Sequence, residues 1–323
     1  MNLHENKDVF AVAIQLASTP KQEGGLGIKQ IYIEKDYWIC RSLKQLSECR
    51  ETDVAVFKGG TSLSKAYLLG NRFSEDIDIA ITSDSQRTDN QTKNIISRIS
   101  KVMSAGLEEV PNPATRKYSK YGKAFYRYPV TTENKIIGAI NPGQILLEIV
   151  SFSNPYPYQK VFIKSFLTEY LENMGRNDII EAYGMQGFEI QVLAKSRTAT
   201  EKLVSLIRHS LSVDYISELK AKIRHFYDLY FLWNDPESRA YLESSEFKTD
   251  FKALLSSDQA RFKEPEGWCD KKVSDSPLIS SFDIVWSELQ ETYSKELPEL
   301  AYQAIPSPES VAESFKELSV LLI

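Results

Sequence analysis

Residues 57–81 read FKGGTSLSKAYLLGNRFSEDIDIAI. An apolar strand (VAVF, 54–57) closes on Gly59 and Gly60, helical spacing resumes in TSLSKAYLL and stops at Gly70, and the segment ends in IDIAI. The order is strand, glycine turn, helix, strand. Side chains alternate along a strand, so Asp76 and Asp78 share one face while Ile77, Ile79 and Ile81 line the other. Two carboxylates so placed repel each other unless a cation sits between them, and hard oxygen donors on a rigid strand suit Mg2+. A helix starting after Gly59 and Gly60 presents unpaired backbone N–H groups, and glycine lets a phosphate come close. A tight turn alone explains the glycines, and a solvent-facing edge strand alone explains the acids. Together, one helix apart, they describe a site for a nucleoside triphosphate with magnesium. The spacing is neither the G-x-x-x-x-G-K-[ST] of a P-loop nor the G-x-G-x-x-G of a dinucleotide fold.

Working outward, ILLEIVSF (145–152) is a second apolar strand interrupted by Glu148. A carboxylate inside such a run needs a metal or a basic group beside it. On a strand next to Asp76 and Asp78 it would be the third acid of a two-metal site; at an edge it would simply face water. Lys65 and Arg72 flank the turn and the acid strand as phosphate contacts, or as surface cations. Residues 33–47 predict an amino-terminal helical lead-in, and a helix is expected near 91–107. After about residue 155 helical periodicity takes over. In 195–211, Ala199, Leu203, Ile207 and Leu211 form an apolar stripe opposite Lys195, Lys202 and His209; in 221–234 the stripe is Ile223, Phe226, Tyr227, Tyr230 and Phe231. Two domains are expected, 1–158 and 159–323, the second a helical bundle.

The chain has 323 residues, 42% hydrophobic and 26% charged, a globular composition. Its net charge of −5 argues against nonspecific coating of nucleic acid. Three scattered cysteines support neither a disulfide framework nor a zinc site, and three histidines leave carboxylates as the abundant chemical groups. No apolar run reaches the roughly 18 residues that span a bilayer, and the first residues lack a signal-peptide pattern, so a cytoplasmic protein without membrane contact is expected. One basic stretch stands out. RKYSKYGKAFYRY (116–128) holds five basic and five aromatic residues and no acid, a mixture suited to phosphate contact with base stacking, or to an exposed hairpin.

KGGTSLSK followed by RFSEDIDI resembles the AbiEii/AbiGii toxin family of nucleotidyltransferases, a branch of the DNA polymerase β-like superfamily that includes MenT-like type IV toxins. EKDYW (34–38), TATEKLVSLIRH (198–209) and IRHFYDLYFLW (223–233) are similar to further elements of that family. The resemblance covers about residues 33–233. It implies an α+β fold: a polymerase β-like nucleotidyltransferase domain with a mixed sheet, then a helical carboxy-terminal domain. It implies that Gly59, Gly60, Thr61 and Ser62 bind phosphates and that Asp76 and Asp78 hold Mg2+, or Mn2+ in its place. Glu148 is a looser match to the third acid, and Lys202 and Asp228 would complete the nucleotide site. The expected reaction is attack of an acceptor hydroxyl on the α-phosphate of an NTP, releasing pyrophosphate. Relatives suggest an RNA acceptor, such as a tRNA 3′ end, and a toxin controlled by a separately encoded antitoxin. Two alternatives stay open: a nucleotide-binding regulator without transfer, or transfer to a protein or small-molecule hydroxyl.

Overall fold

The computed structural model describes residues 2–132 and 143–323. The chain divides into two compact units, Met1–Leu68 with Phe73–Leu193, and Leu69–Arg72 with Ala194–Ile323.

The first unit contains a mixed sheet. Its strands are β1 (Ala55–Lys58), β2 (Asp76–Ile81), β3 (Glu108–Val110), β4 (Arg116–Lys117), β5 (Tyr121–Arg127), β6 (Gln144–Val150), β7 (Tyr158–Ile163) and β8 (Phe188–Leu193). The order is β3-β5-β6-β2-β1-β8-β7, with β4 paired to β5. β2 runs antiparallel to β1 and parallel to β6, and β8 runs parallel to β1. The helices are α1 (Lys7–Ser18), α2 (Gln30–Ser47), α3 (Gly59–Ala66), α4 (Asp89–Met103), α5 (Phe166–Asn173) and α6 (Asn177–Ala182). A Thr88/Gln91 capping box starts α4, whose Ile96, Ile99 and Met103 are buried.

Register explains the alternation in IDIAI. Ile77 and Ile79 of β2 lie beside Leu147 and Ile149 of β6, which lie beside Ala124 and Gly122 of β5. These apolar side chains are buried on the face that α4 covers. The acids stand on the opposite face.

The boundary expected at 158/159 falls instead at Leu193/Ala194. The reason is β8, which pairs with β1 and holds β7 at the sheet edge, so residues 159–193 belong to the sheet unit. Five of the six β7 residues are not fully buried, which deprives that strand of an apolar pattern. The helix after the glycine turn also ends earlier than Gly70, at Ala66; Leu68 then takes a left-handed φ of +54°.

The second unit holds α7 (Lys195–Ser210), α8 (Tyr215–Ala221), α9 (Ile223–Asn234), α10 (Pro236–Leu242), α11 (Ser245–Arg261), α12 (Pro277–Ser280), α13 (Phe282–Leu300) and α14 (Pro308–Ser319). Phe226 of α9 packs against Phe282, Trp286 and Phe315 at ring separations of 6.4, 5.4 and 4.9 Å. Residues Leu69–Arg72 join this unit: Asn71 N–H donates to the Tyr227 hydroxyl at 2.9 Å, and Tyr302 N–H to the Asn71 carbonyl at 2.9 Å. Among the described residues, no helix is long and apolar enough to cross a membrane.

Candidate active site

The sheet of the first unit carries a row of four charged residues, one per strand. Lys58 of β1 is the register partner of Asp78 of β2, Asp78 of Glu148 of β6, and Glu148 of Lys123 of β5. Register partners project from the same face about 5 Å apart, so two adjacent carboxylates are flanked by a lysine on each side. Asp76 lies two residues along β2, on that same face. Glu148 is therefore on the strand next to the paired acids, one of the two placements that the sequence left open. The two flanking lysines were not singled out from sequence, because only the strand register reveals them.

The glycine turn closes directly onto this row. Gly59 has φ +83°, and a Cβ there would lie 2.2 Å from Asp78 Oδ2. Only glycine accepts both that backbone and that approach. The Thr61 hydroxyl donates to the Asp76 carbonyl at 2.5 Å, fixing the first turn of α3 to the acid strand. The Ser62 hydroxyl donates to the Gly59 carbonyl at 2.9 Å. Both side chains are buried. Thr61 and Ser62 thus shape the turn with their hydroxyls, and what α3 offers a phosphate is its first-turn backbone, which no side chain caps.

Lys65, expected beside the phosphates, faces the interior. Its ammonium meets Asp36 at 2.7 Å and lies 4.0 Å from the Phe166 ring centroid. Asp36 belongs to a trio on α2, Glu34, Lys35 and Asp36, each only 1% exposed. Glu34 accepts from Thr131 N–H at 2.7 Å and from the Thr132 hydroxyl at 2.6 Å. Lys35 pairs with Glu75, the residue before Asp76, and Asp36 also accepts from Phe166 N–H at 2.6 Å. One turn of α2 therefore grips the acid strand, the glycine-turn helix and the start of α5. Burial pushes the Asp36 carboxyl up, with the Lys65 charge opposing it, and burial lowers Lys35 against the pull of Glu75. The EKDYW resemblance marked this stretch, but charged helical residues in sequence read as solvated.

Glu148, expected as a third metal ligand, pairs with Lys123 at 3.5 Å. Burial, then the Glu148 charge, pushes the Tyr121 hydroxyl up to about 12. Among the described residues, no three His, Cys, Asp or Glu side chains converge to hold a metal ion. The donor set that fits a divalent cation is the same-face pair Asp76 and Asp78, hard oxygens beside a cradle that a Cβ at Gly59 would fill.

In the second unit, Arg72, Lys202 and Asp228 form one buried cluster. Arg72 grips Asp228 with two hydrogen bonds, Nε to Oδ1 at 2.8 Å and Nη2 to Oδ2 at 2.7 Å, and Lys202 Nζ reaches Oδ2 at 2.8 Å. Burial pushes the Asp228 carboxyl up, but the Arg72 and Lys202 charges outweigh it and hold it well below the usual carboxylate range. His225 is lowered by burial and then by Lys202. Arg72 is thus not a surface cation. Lys202, assigned by periodicity to a polar helix face, lies on one that is buried, with Thr198.

The family described as "Nucleotidyl transferase AbiEii toxin, Type IV TA system" matches residues 41–317. The chain belongs to the AbiEii family. It is a toxin-family nucleotidyltransferase, and the family implies an NTP substrate and a cognate antitoxin. No curated protein sequence matches the chain. Among solved structures, this AbiEii chain is similar to JHP933 from Helicobacter pylori, at 16% identity, TM-score 0.45, covering 91% of this chain and 93% of that one. It is also similar to MenT4, a nucleotidyltransferase toxin from Mycobacterium tuberculosis H37Rv, at 15% identity, TM-score 0.46, covering 97% and 99%.

Proposed function

We propose that this AbiEii-family protein transfers a nucleoside monophosphate from an NTP to an RNA hydroxyl in a Mg2+-dependent reaction, with a tRNA 3′ end as acceptor. The observation that carries the reading is the row Lys58, Asp78, Glu148, Lys123 with Gly59 pressed against Asp78. The first turn of α3 binds phosphate oxygens through backbone N–H groups beside Gly59 and Gly60. Asp76 and Asp78 would hold Mg2+, which would supply neutralising charge for the triphosphate and pyrophosphate. The acceptor oxygen forms a bond to the α-phosphorus as the bond from that phosphorus to the α–β bridging oxygen breaks. The hydroxyl proton passes to a carboxylate oxygen of Glu148, which stands next to the basic and aromatic strand β5. A separately encoded antitoxin is the regulating partner, and the reaction takes place in the cytoplasm.

The test is label transfer from α-labelled NTP, with Mg2+ and total RNA. Ribonuclease-sensitive label is expected from wild type and not from Asp76→Ala or Asp78→Ala. No transfer by wild type, or equal transfer by Asp76→Ala, refutes the reading; label that survives ribonuclease but not protease moves the acceptor to a protein.

A further inference from the structure

The first unit has a second concavity, on the other face of the sheet from the acid row. It is a groove of about 430 Å3 beside α4 and the β4–β5 ladder, within the roughly 300–1,000 Å3 of small-ligand sites. Ile96 of α4 closes its apolar bottom, packed onto Gly122 so tightly that a Cβ there would come within 3.0 Å of Ile96 Cγ2. Leu147 and Ile149 lie beneath it, both buried. Tyr126 lines it with its hydroxyl tied to Ser100 at 2.8 Å, and Tyr118, 61% exposed, stands at its lip.

Four cations surround the groove, Lys93, Lys101, Arg116 and Lys117, against the single carboxylate of Glu109. Glu109 is engaged by Lys117 at 2.7 Å, and Lys123 reaches Glu148 at 3.5 Å. Lys93, Lys101 and Arg116 take part in no ion pair among the described residues. In a chain of net charge −5 this concentration runs against the composition. Cations alone would suit any polyanion. An exposed tyrosine among cations, Tyr118, suits a base flanked by phosphates, whereas an acidic peptide would leave the ring without a role.

We infer that this groove seats one base of a single-stranded stretch of RNA, with the neighbouring phosphates on Lys93, Lys101 and Arg116. The inference rests on the RNA-acceptor reading and gives that acceptor a docking place.

The experiment titrates the full-length protein, without NTP, into a fluorescein-labelled single-stranded RNA and follows anisotropy over a salt series. The double variant Lys93→Glu/Lys101→Glu should raise Kd at least tenfold at low salt. It should reduce the salt slope by about 1.4, the effect of two single-strand phosphate contacts. Tyr118→Ala should raise Kd about tenfold with the slope unchanged, as for one lost stacking contact. These three side chains are exposed, and an unchanged Tm shows that each variant folds. Asp78→Asn should lose transfer and keep wild-type RNA affinity. If wild type labels RNA while both groove variants bind like wild type, the groove assignment fails and the acceptor reading stands. If wild type binds no RNA, both fail. If the double variant loses poly-glutamate binding but not RNA binding, the groove takes an acidic protein and the inference is overturned.

Discussion

Gly59→Ala separates the two demands that the structure places on this position. The first is conformational: φ is +83°, and an alanine held in the left-handed region is strained by about 1–2 kcal/mol. For a unit of this size that corresponds to a fall in Tm of roughly 2–8 °C. The second is steric: the new Cβ would lie 2.2 Å from Asp78 Oδ2, and ordinary contact begins at 3.4 Å, so the oxygen must move by about 1.2 Å. A displacement near 1 Å in a reacting constellation lowers rates about a hundredfold. Gly175→Ala is the control, because Gly175 has φ +67° with nothing within 4 Å of the added Cβ. Both variants should lose comparable Tm by differential scanning fluorimetry. Only Gly59→Ala should lose label transfer, by about two orders of magnitude in initial rate. Gly59→Ala transferring within about threefold of wild type would show that the Asp78 carboxylate need not stand where the glycine turn puts it. Equal loss in both variants would assign the effect to backbone strain.

Three further outcomes follow from the buried charges. Lys65→Met leaves Asp36 buried opposite an apolar group and should lower stability in urea by about 3–5 kcal/mol, while Asp36→Leu/Lys65→Met should recover much of it; two additive losses would mean the pair does not couple. Asp228→Ala leaves Arg72 and Lys202 buried without their carboxylate and should destabilise more than Arg72→Met, which keeps the Lys202 pair. Because the folded Asp228 carboxyl lies below its ordinary value of about 3.9, its contribution is complete above that pH and lost below it, so the gap between wild type and Asp228→Asn should close only in strong acid. Burial, then Arg41, lowers His4 to about 4, so the unfolded chain binds its proton first, and stability present above about pH 6.5 is lost as pH falls toward 4. The slope stays below about 1.4 kcal/mol per pH unit, since His4 is partly exposed; His4→Gln should flatten the Tm profile between pH 7.5 and 5, and an unchanged profile would assign the slope elsewhere.

What was legible in the sequence and what was not divides along the range of the interactions. Asp76 and Asp78 were readable because period-2 alternation is local, and Glu148 because an apolar run with one acid restricts where the acid can point. Their neighbours Lys58 and Lys123 were not, since strand register depends on pairings tens of residues apart. Asp228 shows the same limit more sharply. Its carboxylate is held by Arg72, 156 positions away, and by Lys202. Lys65 and the Glu34–Lys35–Asp36 trio were readable as solvated charges because helix periodicity reports where apolar side chains go and is silent on a charge that finds a buried partner. A buried charge is tolerable only with such a partner, so its position cannot be inferred until the fold has brought the two together. The glycine turn escapes this limit because its requirement is written into the backbone at one residue. It follows that resemblance adds most at Lys202 and Asp228, where pattern reading is weakest, and least at Gly59 and Asp78, where local geometry already demands those residue types.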